Sequence, residues 1–118
     1  MIIRPATRED MDALADIYGH HVLHSLGTFE EVLPSAAELN DRREAIVGRG
    51  LPYLLVEDEG QVLGFAYAGP FRLRAAYRYT VEDSVYVAPG AQGRGVGRTV
   101  LSAVIEACET LGIRQVVA

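Results

Sequence analysis

The stretch Val85-Tyr86-Val87-Ala88-Pro89-Gly90-Ala91-Gln92-Gly93-Arg94-Gly95-Val96-Gly97-Arg98 decides the fold. It opens on alternating strand residues, breaks at Pro89-Gly90, and passes through glycines at every second position into an apolar helical pattern. Val100, Leu101, Val104, Ile105, Cys108 and Leu111 continue that pattern along one face, and Gly112 stops it. A strand, a glycine loop and a helix form a ready anion cradle. Glycines remove side-chain bulk so that several N–H groups converge on one point, and the helix start adds unsatisfied donors and the positive end of its dipole. Such a cradle suits a pyrophosphate, with Arg94 and Arg98 as positive charge at its rim.

Upstream, Thr80 to Val87 alternates with Val81, Val85 and Val87 on one face and Asp83 out of character among them. Thr80, Glu82, Ser84 and Tyr86 take the other face. Tyr53 to Glu57 and Val62 to Ala68 read as a hairpin around Asp58-Glu59-Gly60, with Gly69-Pro70 halting or bending the second strand. Further back, Ser35 and Glu38 make a capping box for a helix carrying Leu39 and Ile46, ended by Gly48 to Gly50. Thr7 with Asp10 is a weaker box before Met11, Leu14, Ile17, Tyr18 and Val22, and Ile2-Ile3 is a short first strand. Gln115 to Ala118 opens a last strand. The order is β-α-α-β-β-β-α-β, a mixed α/β (α+β) sheet flanked by helices, in one domain over 1–118 without repeats or linkers.

Composition narrows the function. The formal net charge of −5 argues against a nucleic-acid partner held through its phosphates, yet leaves room for a small anion bound by backbone dipoles. No apolar run approaches the ~20 residues that span a bilayer, and the N-terminus does not read as a signal peptide. Cys108 has no second cysteine to pair with, so a reducing, cytoplasmic setting is expected; its helical spacing reads as a buried structural thiol. His20, His21 and His24 invite a metal reading, and His20 and His24 are one helical turn apart, but no third ligand or activating acid is patterned nearby. No metal is therefore expected, and a helix-end His capping, lying on the surface or lining a cleft is the preferred reading.

Two familiar phosphate cradles do not fit. A P-loop needs Lys then Ser or Thr after its last glycine, where this chain has Arg98 after Gly97. A dinucleotide fold needs G-x-G-x-x-G in an early βαβ unit, whereas this G-x-G-x-G comes late. Gln92-x-x-Gly95-x-Gly97 instead resembles the Q/R-x-x-G-x-G/A signature of the GNAT superfamily of N-acetyltransferases, whose element order is also similar. Gly69-Pro70 and the string from Ala76 through Thr80-Val81-Glu82-Asp83-Ser84-Val85-Tyr86-Val87 resemble its phosphinothricin and L-amino-acid acetyltransferase branch over essentially the whole chain.

The resemblance implies a set of roles. Acetyl-CoA would be the co-substrate, with the stretch Val85, Tyr86 and Val87 lying along its pantetheine arm. Val85 and Val87 would offer backbone groups to that arm, and Gln92, Gly93, Arg94, Gly95, Val96, Gly97 and Arg98 would hold the pyrophosphate. Glu82 would be the general base for a small amino-acid-like primary amine; Phe29, Glu30, Arg72, Arg74 and Tyr77 would face that substrate. Relatives are often dimers. They also carry an Asn that contacts the cofactor and a Tyr acting as general acid, at positions that would fall after Ala118. The chain is therefore expected to hold most, but not the last elements, of the fold. Alone it is expected to be poorly soluble or oligomeric and weakly active. The alternative function is a non-catalytic, truncated or sensory acyl-CoA-binding module.

Overall fold

The computed structural model describes residues 1–24, 34–70, 80–111 and 115–117. Among these residues five strands form one sheet in the order β1-β2-β3-β4-β5: β1 Ile2–Pro5, β2 Tyr53–Asp58, β3 Gln61–Pro70, β4 Thr80–Val87 and β5 Gln115–Val117. Neighbours run antiparallel except β4 and β5, which are parallel and joined through a helix. Helices α1 (Met11–His24) and α2 (Ala36–Gly48) precede β2, and α3 (Val96–Thr110) makes the β4–β5 crossover. The expected order of elements is present, with short 3-10 turns at Arg8–Asp10 and Pro89–Ala91 added.

Local chemistry explains the boundaries. Ser35 Oγ accepts the Glu38 N–H at 3.1 Å, and the Glu38 carboxylate takes the Ser35 N–H at 3.4 Å, so both orphan donors at the start of α2 are satisfied. At the first helix the box caps the 3-10 turn instead. The Asp10 carboxylate accepts the Thr7 N–H at 2.7 Å and is held by two bonds of 2.8 Å from Arg4. The Arg4 guanidinium, more than desolvation opposes it, holds that carboxyl down at about 2. Glu59 and Gly60 both take positive φ (53° and 79°), the pair a two-residue hairpin turn requires to match the strand twist.

Two expectations on strand length need correction. β1 runs through Pro5, tolerated because β1 is an edge strand. β3 runs through Pro70, opposite Val81, rather than halting at Gly69. The last bond toward β2 is Ala68 N–H to Pro52 O, so the nitrogen of Pro70 faces a side where β2 has already ended. A missing donor costs the ladder nothing there.

The sheet buries side chains on both faces. Met11, Leu14, Ile17 and Leu39 of the first two helices close over Tyr53, Leu55 and Phe65. On the other face Val96, Val100, Val104 and Cys108 of α3 cover Val56, Leu63, Ala66 and Ala68. The α3 stripe is thus narrower than its sequence pattern: Leu101 and Ile105 are only half-buried, and Leu111 follows the helix with 53% of its surface exposed. The contact is close because Gly64 has no side chain. A Cβ there would lie 2.9 Å from the Tyr86 carbonyl oxygen and 2.9 Å from Val96 Cγ1. Gly64→Ala should therefore cost about 1–3 kcal/mol by overpacking. In urea denaturation the midpoint should fall with the slope unchanged; an unchanged midpoint would show that the sheet and α3 have slack at this point.

Candidate functional site

The site is assembled where β4 hands over to α3. Ala88 N–H bonds Leu63 O, which fixes the alternation of the β3–β4 ladder: Tyr86 spends its backbone groups on Phe65, while Val85 and Val87 turn theirs away from β3. On that far side β5 pairs with Thr80, Val81 and Glu82. Among the described residues, no strand continues along β4 past that point. Val85 and Val87 therefore present their N–H and C=O groups along an open edge, the arrangement an extended ligand can join as an added strand.

The side chains alternate about the same strand. Tyr86 packs toward α1, its ring 5.1 Å from Phe65 and 5.3 Å from Tyr18, and burial raises its hydroxyl above the ordinary tyrosine range. Asp83 and Val87 lie under α3, and Asp83 is buried. Val85 shares that face but stays 37% exposed.

The loop beyond Pro89–Ala91 places Gly93 and Gly95 at φ 84° and 75°, backbone that an L side chain would strain. Gly95 is the N-cap of α3. It has no side chain with which to cap, and Thr99 N–H is the first to reach back, to Gly95 O at 3.0 Å. The N–H groups of Val96, Gly97 and Arg98 thus precede the helical ladder, with the positive end of the helix dipole behind them. Gly97 serves packing: a Cβ there would meet Val87 Cγ2 at 3.2 Å, so its absence lets the first turn of α3 sit against β4. That contact joins the open strand edge and the uncapped helix start into one continuous surface.

Other expected residues fall as follows. Gln92 and Arg98 are exposed on the loop and first turn. Arg94 reaches back to Asp58 at 3.3 Å, an exposed pair that opens at little cost. The backbone of Glu82 is fixed opposite Gly69 on one side and Val117 on the other. Gly69 also borders a cavity of about 310 Å³ lined by Tyr18, Leu39, Tyr53, Phe65 and Tyr67. Phe29, Glu30, Arg72, Arg74 and Tyr77 lie outside the described residues, as does Gly112.

Two contributors were not placed at the site by the sequence reading. Gly64 could have been suspected as a glycine inside a strand, which marks a close approach of another element. His21 was one of the three histidines weighed as a metal ligand or as a capping, surface or cleft-lining residue, and nothing in its spacing aimed it at Val87. Its Nε2 lies 3.1 Å from Val87 O and 3.3 Å from Val87 N, and its ring meets Tyr86 edge-on at 5.3 Å. No group of three His, Cys, Asp or Glu side chains among the described residues could hold a metal, and no described helix is long and apolar enough to cross a membrane.

Cys108 is buried on the sheet-facing side of α3, and burial, then the Asp83 carboxylate, push its thiol up. It should resist iodoacetamide in the native protein and react at least about a hundredfold faster in denaturant, because labelling must await opening of the core. Rapid native labelling would contradict that packing.

Comparison with known proteins agrees with this geometry. A profile described as Acetyltransferase (GNAT) family matches residues 15–118. The chain is 47% identical over 116 residues to a phosphinothricin N-acetyltransferase of Alcaligenes faecalis, covering 98% of this chain and 59% of that protein. It is 38% identical over its full length to an L-methionine sulfoximine/L-methionine sulfone acetyltransferase of Salmonella typhimurium, 69% of which it spans. A crystal structure of a GNAT superfamily phosphinothricin acetyltransferase from Sinorhizobium meliloti in complex with AcCoA superposes with a TM-score of 0.93 at 44% identity, over 98% of this chain and 63% of that one. The strand edge, the glycine loop and these matches together make the chain a member of the GNAT acetyltransferase family.

Proposed function

We propose that this chain carries the acetyl-CoA-binding portion of an N-acetyltransferase that acylates the primary amine of a small amino-acid-like substrate by direct transfer. The observation that carries this reading is the uncapped start of α3 at Gly95, continuous with the free edge of β4 at Val85 and Val87. The amides from Gln92 to Arg98 hold the pyrophosphate, with Arg98 and, once released from Asp58, Arg94 adding charge. The backbone of Val85 and Val87 holds the pantetheine arm beside the ring of Tyr86.

Glu82, next to the edge, takes a proton from the substrate ammonium directly or through one water. The freed amine nitrogen bonds the thioester carbonyl carbon, whose oxygen is polarised by strand amides. The C–S bond then breaks as the nitrogen gives up its excess proton to solvent, and the thiolate leaves with a proton gained from solvent or from an acid elsewhere in the protein. The substrate class is supported by the relatives, named for phosphinothricin and for methionine sulfoximine and sulfone. Phe29, Glu30, Arg72, Arg74 and Tyr77 are proposed to face the substrate, an Arg pairing with its carboxylate. A cytoplasmic setting and a homodimer complete the proposal.

Acetyl-CoA should raise the melting temperature of the chain in a concentration-dependent way, because it binds the folded state alone. Glu82→Gln should leave that shift nearly intact while lowering thiol release with amino-acid substrates by about a hundredfold or more. A thermal shift without turnover in the parent chain would reduce the assignment to acyl-CoA binding, and unchanged rates in the variant would remove Glu82 as the base.

A further inference from the structure

His21 stands near the end of α1, on a different element from the loop and strand of the cofactor surface, yet its ring reaches the edge of β4. Nε2 lies within hydrogen-bond distance of both backbone groups of Val87, 3.3 Å from the nitrogen and 3.1 Å from the oxygen. These are the groups that the ladder turns away from β3. The ring is half-buried and steadied edge-on against Tyr86, with centroids 5.3 Å apart and planes at 81°. One ring nitrogen accepts from an N–H in one tautomer or donates to a carbonyl in the other, never both at once. The imidazole therefore does half of what a neighbouring strand would do at Val87, leaving one edge group unserved in either state.

An extended pantetheine arm carries two amides, each with an N–H and a C=O, and can serve donors and acceptors along the edge together. We propose that His21 is an internal placeholder for that arm: its ring occupies the β4 edge at Val87 in the free protein and is displaced when acyl-CoA pairs with the strand. The inference rests on the reading of β4 as the cofactor edge. It makes His21 a positioning residue that keeps the edge from pairing with other extended chains, at the expense of affinity for acyl-CoA. The competing contact is a single neutral hydrogen bond, so its removal should matter by a modest factor.

The test compares the chain with its His21→Phe and His21→Ala variants by calorimetric titration. Two ligands are used: acetyl-CoA, and the phosphorylated adenosine diphosphate half of CoA, which keeps the pyrophosphate and lacks the pantetheine arm. His21→Phe keeps a ring against Tyr86 without the nitrogen, so it guards against loss of folding in the alanine variant. Acetyl-CoA should bind on the order of three- to tenfold more tightly to the folded variants, the equivalent of one neutral hydrogen bond, and the nucleotide half should bind all three chains alike. Unchanged or weaker acetyl-CoA binding by His21→Phe would overturn the proposal. So would equal tightening toward both ligands, which would signal a general change in the fold. If the parent chain binds no acetyl-CoA, the cofactor reading itself fails and takes this inference with it. If the parent binds and the variants gain nothing, the inference alone falls.

Discussion

The first turn of α3 lies against β4 at a distance that a side chain at Gly97 would crowd, and the rest of the site follows from that contact. Gly97 brings the helix to Val87, and Gly64, on the neighbouring strand, leaves room for Val96 and the Tyr86 carbonyl. Burial of Val96, Val100, Val104 and Cys108 holds the helix down, each large apolar side chain contributing roughly 1.5–3 kcal/mol. The helix axis is thereby aimed so that its uncapped N–H groups emerge beside the strand edge. A polar N-cap side chain would stabilise the helix more than Gly95 does, and would fill the place a phosphate can take. The fold gives up local stability at the point where binding requires open donors.

The same logic runs along β4. Its backbone alternates between serving β3 and facing outward, so one strand both carries the sheet and turns backbone groups outward, where the proposed ligand would pair. β5 pairs with the Glu82 end, while the Val85 and Val87 groups look onto an edge that no described strand covers, with the His21 ring at Val87. Its side chains divide likewise, with Tyr86 in an aromatic group with Phe65 and Tyr18 and Asp83 under α3. On the proposed function, acid–base chemistry at Glu82 and ligand pairing at Val85 and Val87 would be set a few residues apart on one strand, the arrangement that direct transfer between two bound substrates needs.

Much of this was legible in the sequence, for reasons that differ by element. The order of strands and helices followed from the hairpin at Glu59-Gly60, the Ser35–Glu38 box and the glycine loop, each of which is local chemistry that a short window contains. Even the outward turn of Val85 and Val87 follows from strand alternation once the resemblance marks them. Pro70 misled because its cost depends on whether a neighbouring strand needs its missing donor, which is a tertiary fact. Leu111 misled because a helical pattern does not say where the partner surface ends. Gly64 and His21 act on residues far along the chain, so no spacing within their own elements marked them.

On the proposed function, the amides around Gly95 and the edge groups of Val85 and Val87 receive one continuous ligand. Amide hydrogen exchange measured residue by residue, with and without acetyl-CoA, tests it most directly. Slowed exchange is expected from Gly93 through Arg98 together with Val85, with a smaller change at Val87, whose N–H already meets His21 Nε2, and little change at Tyr86, whose N–H is committed to Phe65. Exchange at these amides that is indifferent to saturating acetyl-CoA, or protection appearing only elsewhere in the sheet, would contradict it.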